Sequence, residues 1–257
     1  MTPAQTDAIL TVKDVHRDFG GVKAVDGATF SAQRAHITGL IGPNGAGKST
    51  LMGIVAGAIK PVAGKITFEG QDVTGLPPHR IAHRGIIRTF QLSAEFSKLT
   101  VLENLLVAAP GQKGESLWGA ELGKPYWGKA EAALVRTARG VLNRFAMTPK
   151  ENDLAGNLSG GQKRLLEIMR ALMAKPKMLL LDEPFAGVNP TLAREIEQYL
   201  VDLRKEGLSM IMVEHELSVV ERVCDPVVVM AQGKVISEGS MQDVGSRQEV
   251  LDAYLVG

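Results

Sequence analysis

The chain of 257 residues contains one cysteine, Cys224, so no disulfide can form within it and cystine-held secreted scaffolds are excluded. That thiol is read as a small core residue rather than a nucleophile. Charge of either sign is scarcely in excess. The formal net charge is +1, which removes the electrostatic reason to expect nucleic acid as a partner. Long apolar runs are missing as well. Met178–Leu181 and Val227–Ala231 fall far short of the roughly 18 residues that a membrane span needs. The first residues, MTPAQTDAILTVKD, lack a basic start followed by an apolar run, so no signal peptide is expected. Any membrane role then has to pass through partner subunits. No internal repeat or low-complexity segment is evident.

Apolar residues make up 45% of the chain, enough for one large α/β domain or a core with a small lobe. Ile9 to Asp18 alternates apolar and polar residues as a half-buried strand does. Val25 to Ala32 can pair with it, and Lys65 to Glu69 is a further strand after the turn-like Pro61-Val62-Ala63-Gly64. His36 to Ile41 is a short apolar strand running into a glycine-rich loop. Met178 to Leu181 and Ser209 to Val213 read as buried parallel strands. Val227 to Ala231 and Lys234 to Ser237, joined by Gln232-Gly233, read as a hairpin. The middle differs: Val101 to Ala109, Lys129 to Phe145 and Gln162 to Met173 have helical spacing. Between the first two lies Pro110 to Gly128, rich in glycine and carrying Trp118, Tyr126 and Trp127. The pattern predicts a mixed α/β core with a mostly helical lobe inserted at 92–174.

The strongest local motif is Gly42-Pro43-Asn44-Gly45-Ala46-Gly47-Lys48-Ser49-Thr50, which fits GxxxxGK[ST] and follows an expected strand. Its glycines let the backbone wrap so that successive N–H groups converge on phosphate oxygens. A helix starting near Lys48 adds the favourable end of its dipole. Lys48 is expected to reach the β- and γ-phosphates and the Ser49 hydroxyl to ligate Mg²⁺. Met178-Leu179-Leu180-Leu181-Asp182-Glu183 is the second part. A buried strand ending in two carboxylates places them at the sheet edge where ligands bind, although strands often end in acidic residues for structural reasons alone. Beside a phosphate loop, Asp182 is expected to hold Mg²⁺, directly or through water. Glu183 is expected to orient and polarise the attacking water as general base.

Leu158-Ser159-Gly160-Gly161-Gln162 adds a third feature. Ser159 is a good N-cap, and Gly160 and Gly161 leave open N–H groups at a helix start, a second anion site. A phosphate loop, then LSGGQ, then LLLDEP resembles the ATPases of ATP-binding-cassette (ABC) transporters over nearly the whole chain. The resemblance implies an α/β P-loop NTPase core with an antiparallel β subdomain and an inserted helical lobe, the whole of 1–257 forming one nucleotide-binding domain. It implies ATP and Mg²⁺ as cofactors and hydrolysis to ADP and phosphate. It also implies that Ser159, Gly160, Gly161 and Gln162 bind the γ-phosphate of ATP held by an opposite cassette, of the same or a different chain, in a head-to-tail ATP-sandwich dimer.

Further positions follow from the same resemblance. Phe19, in HRDFGG, matches the aromatic that stacks on adenine; the alternative is a strand core residue. Gln91, ending RTFQ, matches the glutamine that contacts Mg²⁺ or the attacking water and senses the membrane subunits. His215, in MVEHEL, matches the switch histidine at the γ-phosphate. Phe96 and Leu99 lie where the family forms a cleft for a short cytoplasmic permease helix; the alternative is that they pack the lobe's own core. Where the family often has Ser-Ala-Leu-Asp, this chain has Ala186-Gly187-Val188-Asn189 followed by Pro190, so Asn189 offers an amide rather than a charge to a dimer contact.

That segment, RTFQ, TVLENLLVA, the aromatic insert and the ending AYLVG are similar to the ATPases of branched-chain (hydrophobic) amino-acid importers. EPFAGV is similar also to a lipopolysaccharide exporter ATPase, and urea importers are close relatives. The implied partners are transmembrane permease subunits and, indirectly, a solute-binding protein, with the chain peripheral to the cytoplasmic face of the inner membrane. A soluble ABC ATPase of repair or ribosome rescue usually carries a long coiled coil or two cassettes, and this chain has neither. A regulatory nucleotide-binding module would lack a carboxylate such as Glu183.

Overall fold

The computed structural model describes residues 7–89, 96–110 and 124–256. The chain divides into two compact units. One holds the described residues up to Arg88, Lys177–Ala186 and those from Arg194 onward. The other holds the described residues of Thr89–Pro176 together with Gly187–Ala193.

Two sheets form the first unit. The antiparallel one has β1 (Ala8–Phe19), β2 (Val22–Gln33), β4 (Ala63–Phe68) and β5 (Gln71–Asp72) in the order β2-β1-β4-β5. The other is built on β3 (Ile37–Ile41), β6 (Ile86–Arg88), β7 (Met178–Asp182), β8 (Ser209–Val213), β9 (Val227–Ala231) and β10 (Lys234–Gly239). Its order is β10-β9-β3-β8-β7-β6, and only β10 runs antiparallel to its neighbour. Every residue of β3, β7 and β8 is buried, as expected for parallel strands covered on both faces. Helices of this unit include α1 (Lys48–Val55) and α2 (Pro78–Arg84).

The hairpin read at Gln232-Gly233 is present. Both turn residues have positive φ, 48° and 79°, the geometry that lets a two-residue turn follow the strand twist. Gly20 and Gly21 do the same between β1 and β2, with φ 53° and 90°, and set Phe19 opposite Val22 at the hairpin's end.

In the second unit, α3 (Val101–Ala108), α4 (Lys124–Arg144) and α5 (Gly160–Met173) pack on one another. The structure alters several sequence boundaries. β4 already begins at Ala63, inside the stretch read as a turn, because Lys13 and His16 of β1 pair with Lys65 and Ala63. Helix α4 begins at Lys124, ahead of the Lys129 suggested by spacing. Gln91, Trp118 and most of the 110–128 insert lie outside the described residues. The remaining helices are α6 (Pro190–Lys205), α7 (Leu217–Val223), α8 (Met241–Gly245) and α9 (Gln248–Val256). No helix among the described residues is long and apolar enough to cross a membrane.

Candidate nucleotide site

The phosphate-loop motif joins β3 to α1, as its sequence requires. Gly42, Gly45 and Gly47 have φ of 146°, 77° and 99°, a region that side-chain-bearing residues rarely enter. Crowding adds a second constraint at two of them. A Cβ on Gly42 would run into the Met230 carbonyl oxygen, and one on Gly47 into that of Ala24. Asn44, Gly45 and Ser49 are exposed and Ala46 is buried, so the loop's crest faces outward while its base is packed. Pro43 and Thr50 are partly buried. Gly47 caps α1 without any side-chain hydrogen bond.

Lys48 is buried beneath this loop. Its Nζ donates to the carbonyls of Gly42 at 2.7 Å and Pro43 at 2.9 Å. Burial pushes its pKa down, while the charges of Glu183 and Asp182 oppose that shift. The two carboxylates therefore help keep the ammonium charged.

Asp182 ends β7 and is only 1% exposed. Its Oδ2 accepts from Arg88 Nη2 at 2.7 Å, and its Oδ1 is buried without a protein partner. Glu183 follows with φ 49°, a left-handed conformation costing a non-glycine residue about 1–2 kcal/mol. Its N–H donates to the Val213 carbonyl of β8 at 3.0 Å, which holds the turn beside the next strand. Glu183 Oε1 lies 3.0 Å from His215 Nε2, so Glu183 and His215 meet across the ends of two neighbouring strands.

A residue given no role in the sequence reading ties this corner together. Glu214 is buried, and its two oxygens accept from the backbone N–H groups of Phe185 and His215, each at 3.1 Å. Burial pushes the Glu214 pKa up and the two N–H donors hold it back. Arg88 was likewise not singled out from sequence. It opens the RTFQ segment and is the one charged side chain on the short strand Ile86–Arg88, but neither feature names its partner. Cys224 is buried and its thiol is pushed up to about 12 by burial, with the Glu214 charge adding to the shift, so it is an inert core group.

Phe19 is 46% exposed at the end of β1, not a core residue. The Arg17 guanidinium lies 4.5 Å from its ring centroid, and Arg17 Nη1 donates to the Lys60 carbonyl at 3.1 Å. The ring is thus supported by an anchored cation.

The LSGGQ segment belongs to the second unit. Ser159 caps α5, its Oγ accepting from Gln162 N–H at 3.3 Å, while Gln162 Oε1 accepts from Ser159 N–H at 3.0 Å. Gly160 is exposed, with nothing nearer to a Cβ than the Gly187 carbonyl oxygen at 4.0 Å. Gly161 is buried, where a Cβ would strike the Leu192 side chain. Asn189 caps α6: its Oδ1 accepts from Leu192 N–H at 3.0 Å, with Pro190 in the first helical position. Phe96 is 47% exposed, with the Arg170 guanidinium 5.2 Å from its ring. Buried Asn104 fixes the backbone around it, accepting from Phe96 N–H at 2.9 Å and donating to the carbonyls of Phe96 and Thr100. Leu99 is partly buried.

The family model described as "ABC transporter" matches residues 25–186. A protein of Archaeoglobus fulgidus named "Probable branched-chain amino acid transport ATP-binding protein LivG" is 41% identical over 96% of this chain and 95% of its own length. The "High-affinity branched-chain amino acid transport ATP-binding protein BraF" of Pseudomonas aeruginosa is 34% identical over 96% of this chain and 97% of its own. Among solved structures, an ATP-binding cassette of an ABC transporter in its ADP conformation superposes with a TM-score of 0.85 at 38% identity, covering 98% of this chain and all of that one. A nucleotide-free cassette gives 0.84 at 37% identity, over 96% and 98% of the two chains. With the phosphate loop, the carboxylate strand and the cassette fold all in this one chain, it belongs to the ABC transporter family, as an ATP-binding, ATP-hydrolysing subunit.

Proposed function

We propose that this chain hydrolyses MgATP to drive uptake of branched-chain or other hydrophobic amino acids through permease subunits, from the cytoplasmic face of the membrane. The observation that carries the catalytic half is the 3.0 Å contact between Glu183 and His215 beside Asp182 and buried Lys48. Lys48 and the amides of Gly42 to Thr50 bind the phosphates and stabilise charge developing on the transferred group. Glu183 takes the proton of the attacking water as that oxygen bonds to the γ-phosphorus and the bond to the β-phosphate oxygen breaks, leaving ADP and phosphate. His215 holds Glu183 in place and lies within reach of the γ-phosphate. Phe19 stacks on adenine.

The residues fit Mg²⁺: an exposed Ser49 hydroxyl stands on the loop and Asp182 offers a buried, unpartnered oxygen, the sparse protein shell this ion uses beside phosphates. Ser49 and Asp182 are its proposed ligands, with Gln91 as a further contact. When bound, the ion neutralises charge shared by the β- and γ-phosphates.

Ser159, Gly160, Gly161 and Gln162 serve the ATP of a second cassette, and Phe96 with Leu99 meets a permease helix; 92–174 is the lobe that carries both. The substrate class rests on the relatives' names at 34–41% identity.

Glu183→Gln tests the chemistry, because an amide cannot accept the water's proton. ATP binding is expected to persist while hydrolysis falls by about 10²–10⁴-fold. Wild-type turnover in that variant would remove Glu183 as the base. Uptake of labelled leucine in cells carrying the variant, with its permeases, reads the transport half. Undiminished leucine uptake beside lost ATPase would reject that substrate.

A further inference from the structure

Asp182 is a carboxylate with two differently treated oxygens. Oδ2 is bound by Arg88 Nη2 at 2.7 Å, and Oδ1 is buried and unpartnered. Arg88 is the last residue of β6, the strand beside β7, so the register of two parallel strands delivers both side chains to the same edge. The guanidinium is confined there. Its Nη1 lies 3.5 Å from where a Cβ on Gly53 of α1 would stand, so the guanidinium sits beside the helix of the phosphate loop. We propose that Arg88 is a positioning residue for the metal-binding aspartate: it clamps Oδ2 so that Oδ1 alone is presented to Mg²⁺. The inference rests on Asp182 being the Mg²⁺ ligand.

Two effects of Arg88 oppose each other. Its charge repels a nearby cation, while its hydrogen bond fixes the carboxylate's rotation. Orientation outweighs repulsion here because the guanidinium takes the oxygen that the metal does not need. Without Arg88, an aspartate buried to this degree has no side-chain partner among the described residues to define its plane. Partners in the second layer around a metal typically change its affinity 10–100-fold by this route. In sequence, Arg88 stands three residues ahead of Gln91, the further Mg²⁺ contact proposed above.

The readout is the ratio of ATP dissociation constants in EDTA and in saturating Mg²⁺, measured by calorimetry on the whole chain with melting curves alongside. In Arg88→Met the EDTA value is expected to stay within about twofold, while the ratio shrinks by about tenfold or more. Arg88→Leu also removes the donor while keeping apolar bulk, and decides on the same criterion if the methionine variant does not fold. Asp182→Asn is the control. A shrunken ratio in Asp182→Asn with an unchanged or larger one in the Arg88 variant overturns the positioning role and leaves the metal ligand standing. An unchanged ratio in Asp182→Asn itself overturns the metal reading. An Arg88 variant that loses ATP binding in EDTA while keeping the ratio places Arg88 in the fold or the nucleotide pocket, and also overturns the proposal.

Discussion

The helices that follow the two glycine-rich motifs begin in opposite ways. Helix α1 starts from Gly47, in the left-handed region, and no side chain satisfies its first N–H groups. Helix α5 starts from Ser159, and a reciprocal pair of hydrogen bonds with Gln162 satisfies two of its own donors. Bare amides at a helix start are an anion site in waiting. At the phosphate loop they are backed by buried Lys48 and the loop wraps around them. At LSGGQ, only Gly160 and Gly161 keep N–H groups outside the cap pair, on a surface that Gly160 leaves uncovered. A helix start that must hold nucleotide alone is left unsatisfied and braced from below. One that acts only when a second cassette brings a phosphate, the role proposed for LSGGQ, can satisfy itself in the meantime.

The comparison breaks most severely at Gly47. Gly47→Ala asks an alanine to hold φ 99° and sets its Cβ against the Ala24 carbonyl. Strain of about 1–3 kcal/mol has to be met whenever the loop adopts its binding shape. ATP affinity is expected to drop about 5- to 150-fold on that account, more if the collision is not relieved. Calorimetry with ATP checks it, and native affinity would mean that the loop does not need this conformation to bind.

Glu214 tests the carboxylate corner beside the braced site. Glu214→Gln keeps one acceptor and turns the other into a donor facing an N–H of Phe185 or His215. A lost hydrogen bond to a charged group is worth about 1.5–3 kcal/mol. Turnover is expected to fall roughly tenfold or more with ATP binding nearly intact, because His215 and the turn after Glu183 lose their common anchor. The pH dependence has a definite sign. Burial raises the Glu214 pKa above its ordinary 4.5, so the folded chain holds that proton more tightly than the unfolded one. Its favourable contribution is full below 4.5 and is lost as pH rises through the raised value. The glutamine does not titrate there. The melting temperature of wild type relative to Glu214→Gln should therefore decline as pH rises above 4.5. A difference flat in pH would show that Glu214 is not shifted.

Much of this arrangement was readable from residue types alone. GPNGAGKST demands a strand before it and a helix after it, and the MLLLD run can be buried on both faces only inside a parallel sheet. Gln232-Gly233 between apolar runs leaves few alternatives to a hairpin turn. Phe19 was ambiguous because an aromatic at a strand end has no periodicity to place it; the Gly20-Gly21 turn beside it decides that it stands out. Asn189 read as a weakened dimer contact, yet its side chain caps α6, a local role that Asn-Pro permits in sequence but does not announce. Arg88 and Glu214 lie inside the quoted RTFQ and MVEHEL segments, but no role for either was read from them. Arg88 meets Asp182 from a strand distant in sequence and Glu214 accepts from Phe185 of a distant turn, contacts that a single charge in an apolar run does not specify.

The smallest expected effect tests the capped helix directly. If the Ser159 hydroxyl serves the helix start as the structure shows, Ser159→Ala should cost the isolated, nucleotide-free chain about 1 kcal/mol, and Ser159→Gly only a few tenths. For a chain of this size 1 kcal/mol corresponds to about 2–4 °C in melting temperature. Intrinsic ATP affinity should not move in either variant, because the proposed site acts on nucleotide held by another subunit. Cooperative turnover, measured against protein concentration, should weaken in the alanine variant and survive better in the glycine variant, which leaves the Gly160 and Gly161 amides open without a methyl group over them. If the alanine variant melts like wild type and loses only turnover, the hydroxyl is reserved for phosphate and the cap is incidental. If instead both variants lose ATP affinity as isolated subunits, LSGGQ touches its own chain's nucleotide, and the contrast between a braced site and a waiting one fails.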